Sequence, residues 1–195
     1  MLKAAANSRP ALWLVLVLPG LWIAWRWIAT PQLYGYGHAI GDSGDWAAWL
    51  LMATLAVTPL RLMFRKQDWT IWLMRRRRDL GVASFAYALA HTVMYLIRKG
   101  SPEFVFAELS TPYILAGWIA LALFLPLAIT SNDFSVRRLK RSWKRLHRLV
   151  YPATIVAFLH WVWSAFDPTT AWIHVGILAA IEIVRVALQQ RQRVT

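Results

Sequence analysis

LGVASFAYALAHTVMYLI, residues 80–97, runs eighteen residues without a formal charge and is broken by one imidazole, His91. As a helix it is long enough to cross a hydrocarbon core roughly 30 Å thick. A second stretch of the same length, LVYPATIVAFLHWVWSAF at residues 149–166, carries His160 at the same register. His91 lies 11 residues beyond Leu80, and His160 lies 11 residues beyond Leu149. At 1.5 Å per residue, both rings sit about 16 Å from the starts of their helices. An ionisable ring in hydrocarbon is costly, so it marks a functional site unless a neighbour satisfies it.

Four further apolar stretches fall at 11–29, 46–64, 113–130 and 170–188. The expected fold is therefore an all-α integral membrane protein, a bundle of six transmembrane helices forming a single domain over residues 1–195. Of the 22 Lys and Arg residues, 19 fall on one side, including Arg65, Lys66, the run Arg75–Arg78 and the cluster from Arg137 to Arg148. The other side holds Arg26, Arg98 and Lys99 with Asp42, Asp45, Glu103, Glu108 and Asp167. The positive-inside rule places both termini in the cytoplasm. The first stretch is longer than the apolar core of a signal peptide and lacks a small-residue cleavage site, so it is read as a span. Pro19-Gly20 is expected to bend it, and residues 30–45, with four glycines, to form the longest outer loop.

Composition removes several kinds of chemistry. There is no cysteine, hence no disulfide, thiolate metal site or iron–sulfur cluster. Any redox work falls to a bound cofactor. The net charge of +13 lies between apolar spans and marks topology, with lipid as partner and not nucleic acid. Thirteen tryptophans suit membrane interfaces. No Gly-rich phosphate loop, Ser-His-Asp set or carboxylate pair is present, and no catalytic residue is assigned.

Neutral imidazole is a standard axial ligand for haem iron. Equal depth on two spans running the same way is what one haem between His91 and His160 requires. Ala88, Tyr87 and Ser84 lie on the His91 face, and Ala157, Val156, Ala153 and Ser164 on the His160 face. Small residues leave space for a flat macrocycle, although close helix packing also favours them. The competing reading makes each histidine a polar contact to a neighbouring helix. His147, 13 residues before His160, is either a second redox site or an interfacial ring beside Arg145 and Arg148. Arg77, Arg78 and Arg148 either bind a flavin phosphate or touch anionic lipid. Glu182 is read as an i, i+3 partner of Arg185, with proton handling at a quinone site as the alternative. His38 and His174 are read as interfacial.

Two motifs carry a family resemblance. One runs from Arg77-Arg78-Asp79-Leu80-Gly81 through Ser84-Phe85-Ala86-Tyr87 to His91; the other runs from Leu146-His147-Arg148-Leu149-Val150-Tyr151 to His160-Trp161-Val162-Trp163. The chain resembles the MsrQ (YedZ) family, haem-binding membrane subunits of periplasmic methionine sulfoxide reductase systems. More widely, it resembles the ferric reductase and NADPH oxidase transmembrane superfamily. The resemblance implies b-type haem, His91 and His160 as axial ligands, one haem with a second near His147, and a bound FMN. It departs at Arg77, where the superfamily's inner haem would need a histidine.

The same resemblance implies an electron-transfer subunit in the bacterial inner membrane, not itself an enzyme. A quinol or flavin reductase would supply electrons, and a periplasmic molybdenum-containing MsrP-like subunit would reduce the substrate. The rival readings are a histidine-containing transporter and a cofactor-free membrane anchor.

Overall fold

The computed structural model describes residues 8–194; Lys3 and the two chain ends, which the charge reading places in the cytoplasm, lie outside the described residues. Among the described residues the chain is helical throughout, with no strand. The helices are α1 (Arg9–Ala29), α2 (Tyr36–Met63), α3 (Asp68–Lys99), α4 (Pro102–Glu108), α5 (Pro112–Ile129), α6 (Asp133–Leu139), α7 (Arg141–Leu146), α8 (Val150–Ser164) and α9 (Thr169–Val194). A 3₁₀ turn, His147–Leu149, leads into α8.

Starts follow local chemistry. Proline occupies the first turn of α1, α4 and α5, where its missing N–H is not needed. Ser8 caps α1 by accepting from the Ala11 N–H at 3.2 Å. The Asn132 side chain likewise caps α6 through the Ser135 N–H at 2.8 Å.

Five helices, α1, α2, α3, α5 and α9, are long and apolar enough to cross a membrane. The fifth expected stretch, 149–166, becomes α8 with only 15 residues. That is about 22 Å of helix, and the 3₁₀ turn adds about 6 Å. Pro152 explains the break, since it has no N–H to offer the Arg148 carbonyl.

Two expected loops are helical. Residues 36–45 form the start of α2, so the loop after α1 is confined to 30–35. Gly37, Gly41 and Gly44 weaken helix propensity, but buried Ala39 and Ser43 show that packing overrides it. The run Arg75–Arg78 lies on α3, which begins 12 residues before Leu80. Arginine is a good helix former, and neither proline nor glycine interrupts residues 68–80.

The chain divides into two compact units, Met1–Arg98 with Ala180–Thr195, and Lys99–Ala179. In the first, Leu16, Ile23, Tyr34, Ala39, Leu50, Val57, Leu80, Ala83 and Tyr87 form a buried core. Buried Asp79 on α3 accepts from Arg9 Nε at 2.9 Å and from Trp13 Nε1 at 3.2 Å on α1. In the second, α5 packs on α8 through Ala116, Ala120 and Ala153, with Phe158 buried beside them. Small residues let the two backbones approach.

The expected weak point at Pro19-Gly20 has a specific repair. Leu16 C=O and Gly20 N–H are i, i+4 partners in a regular helix. The Tyr87 hydroxyl stands at this pair, donating to Leu16 O at 2.7 Å and accepting from Gly20 N–H at 2.8 Å. A side chain from α3 thus completes the ladder of α1. Tyr87→Phe leaves both groups short of this partner. It should lower stability by about 1–3 kcal/mol, read as a reduced thermal midpoint of the purified protein; an unchanged midpoint would remove the repair role.

Candidate functional site

His91 lies on α3, on the face that also carries Ser84 and Tyr87. Ser84 Oγ donates to the Ala47 carbonyl at 2.8 Å, which sets α3 against α2. About two turns back along α2, His91 Nδ1 is 2.9 Å from the Ile40 carbonyl oxygen. A carbonyl only accepts, so the ring donates through Nδ1–H, and the neutral imidazole carries its lone pair on Nε2.

His160 repeats this arrangement in the second unit. It lies on α8, and its Nδ1 is 2.6 Å from the Tyr113 carbonyl at the start of α5. Again the acceptor fixes the proton on Nδ1 and the lone pair on Nε2. The Tyr113 ring lies tilted beside it, with centroids 6.3 Å apart. His91 belongs to the first unit and His160 to the second.

Haem iron takes the lone pair of a neutral imidazole, and ligating histidines characteristically give their other N–H to a carboxylate, carbonyl or water. Both rings meet these requirements. The bland alternative, a polar contact to a neighbouring helix, describes the same bonds.

His174 shows the contrast. Its Nδ1 bonds the Thr170 carbonyl of its own helix at 2.8 Å, and its ring lies 4.9 Å from that of Trp161. His38 is exposed and stacks on Tyr34 at 5.6 Å.

His147 is held by the opposite nitrogen. The Thr130 hydroxyl donates to the Pro126 carbonyl at 2.6 Å, which uses its single proton. Towards His147 Nε2, 3.0 Å away, the hydroxyl oxygen is therefore the acceptor. The ring stacks on Trp143 at 3.9 Å, and Trp143 Nε1 donates to the Thr130 carbonyl at 2.9 Å. His147, Thr130 and Trp143 thus form one cluster where the 3₁₀ turn meets the end of α5.

The arginines separate. Arg77 Nε donates to the Thr54 carbonyl of α2 at 3.0 Å, and its charge acts on Glu182 of α9. Glu182 also pairs with Arg185 at 2.6 Å, the i, i+3 contact expected from the sequence. Arg78 is half-buried, and Arg148 is exposed. Sequence reasoning missed the two backbone carbonyls, Ile40 and Tyr113, because an acceptor common to every residue leaves no letter in the sequence.

Comparison with known proteins identifies the family. Residues 43–158 match the family described as ferric reductase like transmembrane component, a match that takes in His91 and His147 and ends two residues before His160. A Xanthomonas axonopodis pv. citri protein named "protein-methionine-sulfoxide reductase heme-binding subunit MsrQ" is 42% identical over 143 residues, covering 71% of this chain and 64% of that protein. The Rhizobium meliloti protein of the same name is 37% identical over 165 residues, covering 80% and 73%. The aligned part of the chain thus spans 64% of the length of the Xanthomonas relative. The chain belongs to the ferric reductase like transmembrane component family and, within it, to the MsrQ proteins.

Proposed function

We propose that this chain is a b-type cytochrome subunit of the bacterial inner membrane, in which His91 and His160 ligate one haem. It spans the membrane six times with both termini cytoplasmic, α8 and its 3₁₀ turn forming the fifth span. It carries electrons from a quinol or flavin reductase to a periplasmic molybdenum-containing MsrP-like subunit, which reduces methionine sulfoxide. The observation supporting this most strongly is the pair of Nδ1–carbonyl bonds, which leave both rings with Nε2 as the donor atom.

Haem b, when bound, supplies a one-electron carrier. The chain's residues determine what that carrier can do. His91 and His160 would together hold the haem, and with both ligands supplied by the protein it would suit electron transfer over oxygen activation. The carbonyls of Ile40 and Tyr113 hold each ring in its tautomer and raise its basicity as a ligand. Both histidines lie about 16 Å along the chain axis from Leu80 and Leu149, so a donor at the inner face needs either lateral entry within the bilayer or an intermediate carrier.

His147 enters this reading as a structural residue, since ligation through Nε2 would cost it Thr130. Arg77 is likewise engaged by Thr54 and Glu182, which favours a structural role over a flavin phosphate contact. FMN would then depend on Arg78 and Arg148.

Purified protein should show sharp b-type bands on dithionite reduction and about one haem per chain by pyridine haemochrome, the stoichiometry set by one bis-histidine pair. His91→Ala and His160→Ala should each abolish that signal, and His147→Ala should keep it. Full haem in His91→Ala would end the pairing. Haem loss in His147→Ala would return that ring to the redox path. Arg77→Ala/Arg78→Ala should retain haem; loss of co-purifying flavin from this variant would instead restore the phosphate role.

A further inference from the structure

The two carbonyl bonds share a second feature. In a helix, the carbonyl of residue i accepts from the N–H of residue i+4, so a side chain at i+4 stands beside that oxygen. Glycine occupies this position in both cases, at Gly44 four residues after Ile40 and at Gly117 four residues after Tyr113. A Cβ on Gly44 would lie 3.2 Å from His91 Nδ1 and 3.4 Å from Cε1. A Cβ on Gly117 would lie 2.9 Å from His160 Nδ1 and 3.0 Å from Cε1. Each imidazole thus rests on bare backbone. The carbonyl has two lone pairs, so it can serve the helix and the ring together.

We infer that Gly44 and Gly117 are positioning residues for the two histidines, each leaving the gap through which Nδ1–H reaches a carbonyl one turn back. Their role in haem binding rests on the reading above; their role in setting the ring tautomer stands independently of it. Gly41 and Gly176 provide internal controls, because a Cβ at either position meets nothing within 4 Å. The contacts also grade the two sites. At Gly117 the ring must move, whereas at Gly44 a displacement of a few tenths of an ångström suffices.

The test compares Gly44→Ala, Gly117→Ala, Gly41→Ala and Gly176→Ala in the purified full-length chain. Nitrogen-15 spectra of labelled histidine report the tautomer with or without haem. Electron paramagnetic resonance and redox titration report the bound iron. Gly117→Ala should lose one Nδ1–H signature and weaken haem binding by about 10-fold or more, the usual effect of removing a ligand's outer partner. Gly44→Ala should retain haem with a raised midpoint potential, since a less basic ligand favours the oxidised iron less. The two controls should match the parent protein.

Parent-like tautomer signals, spin state and potential in Gly117→Ala would overturn the inference while leaving the histidine pair intact. Should Gly117→Ala fail to accumulate, an unchanged potential and tautomer in Gly44→Ala would overturn it equally. Retention of haem by both histidine-to-alanine variants would instead sink the haem reading, and the tautomer spectra would still judge the glycines.

Discussion

A neutral imidazole has one proton and one lone pair, and whatever takes the proton determines which nitrogen can bind a metal. In this fold, backbone carbonyls near the N-terminal ends of α2 and α5 take the Nδ1 protons of His91 and His160. Those bonds depend on how closely α3 approaches α2 and how closely α8 approaches α5. Ser84 on Ala47 O and Arg77 on Thr54 O tie the first pair of helices at two heights. Ala116, Ala120 and Ala153 bring the second pair together by having little side chain to separate them. One chemical end, a ring aimed through its backbone bond, is reached once by polar contacts and once by small-residue packing.

The polar groups within the helical segments follow a consistent economy. Thr54, Thr92, Thr130 and Thr154 return their hydroxyl protons to a carbonyl of their own helix, and Tyr87 spends its hydroxyl on the ladder of α1. Unsatisfied polar groups are expensive where no water reaches, so such side chains are tolerated only when they complete backbone bonding. The exposed Leu14, Leu18, Trp22 and Ile28 of α1 are the complementary case. They would be a liability in water, but they are the surface a helix presents to lipid.

Much of this was legible in the sequence. Apolar runs long enough to span locate the main helices, because hydrocarbon thickness sets a length that composition reveals. Boundaries were harder to place. The glycines at 37, 41 and 44 looked like a loop but lie in α2, and the arginines at 75–78 looked like a loop but lie on α3. In both cases polarity or weak propensity suggests a break that packing and the helix propensity of arginine override. The fifth expected stretch is a 15-residue helix, with Leu149 taken into the 3₁₀ turn and Ala165 and Phe166 lying beyond its C-terminal end. His91 and His160 were singled out by their positions in apolar runs, but their acceptors were invisible. Gly44 and Gly117 were the available signal, readable only once each glycine is known to face a histidine.

His147 shows why residue type and spacing alone could not finish the assignment. It sits in the same motif as His160 and in a chain where two other rings suit metal ligation. Yet its Nε2 is committed to Thr130, whose own proton is committed to Pro126, and Trp143 covers one face of the ring. Moving that ring to an iron would break a chain of three side chains that also closes the end of α5. The Nδ1–carbonyl bonds of His91 and His160 assign the lone pair of each neutral ring to Nε2, whereas the Thr130 contact assigns the proton of His147 to that same atom. That difference in tautomer, more than depth or sequence register, is the ground on which His91 and His160, and not His147, are proposed as the haem ligands.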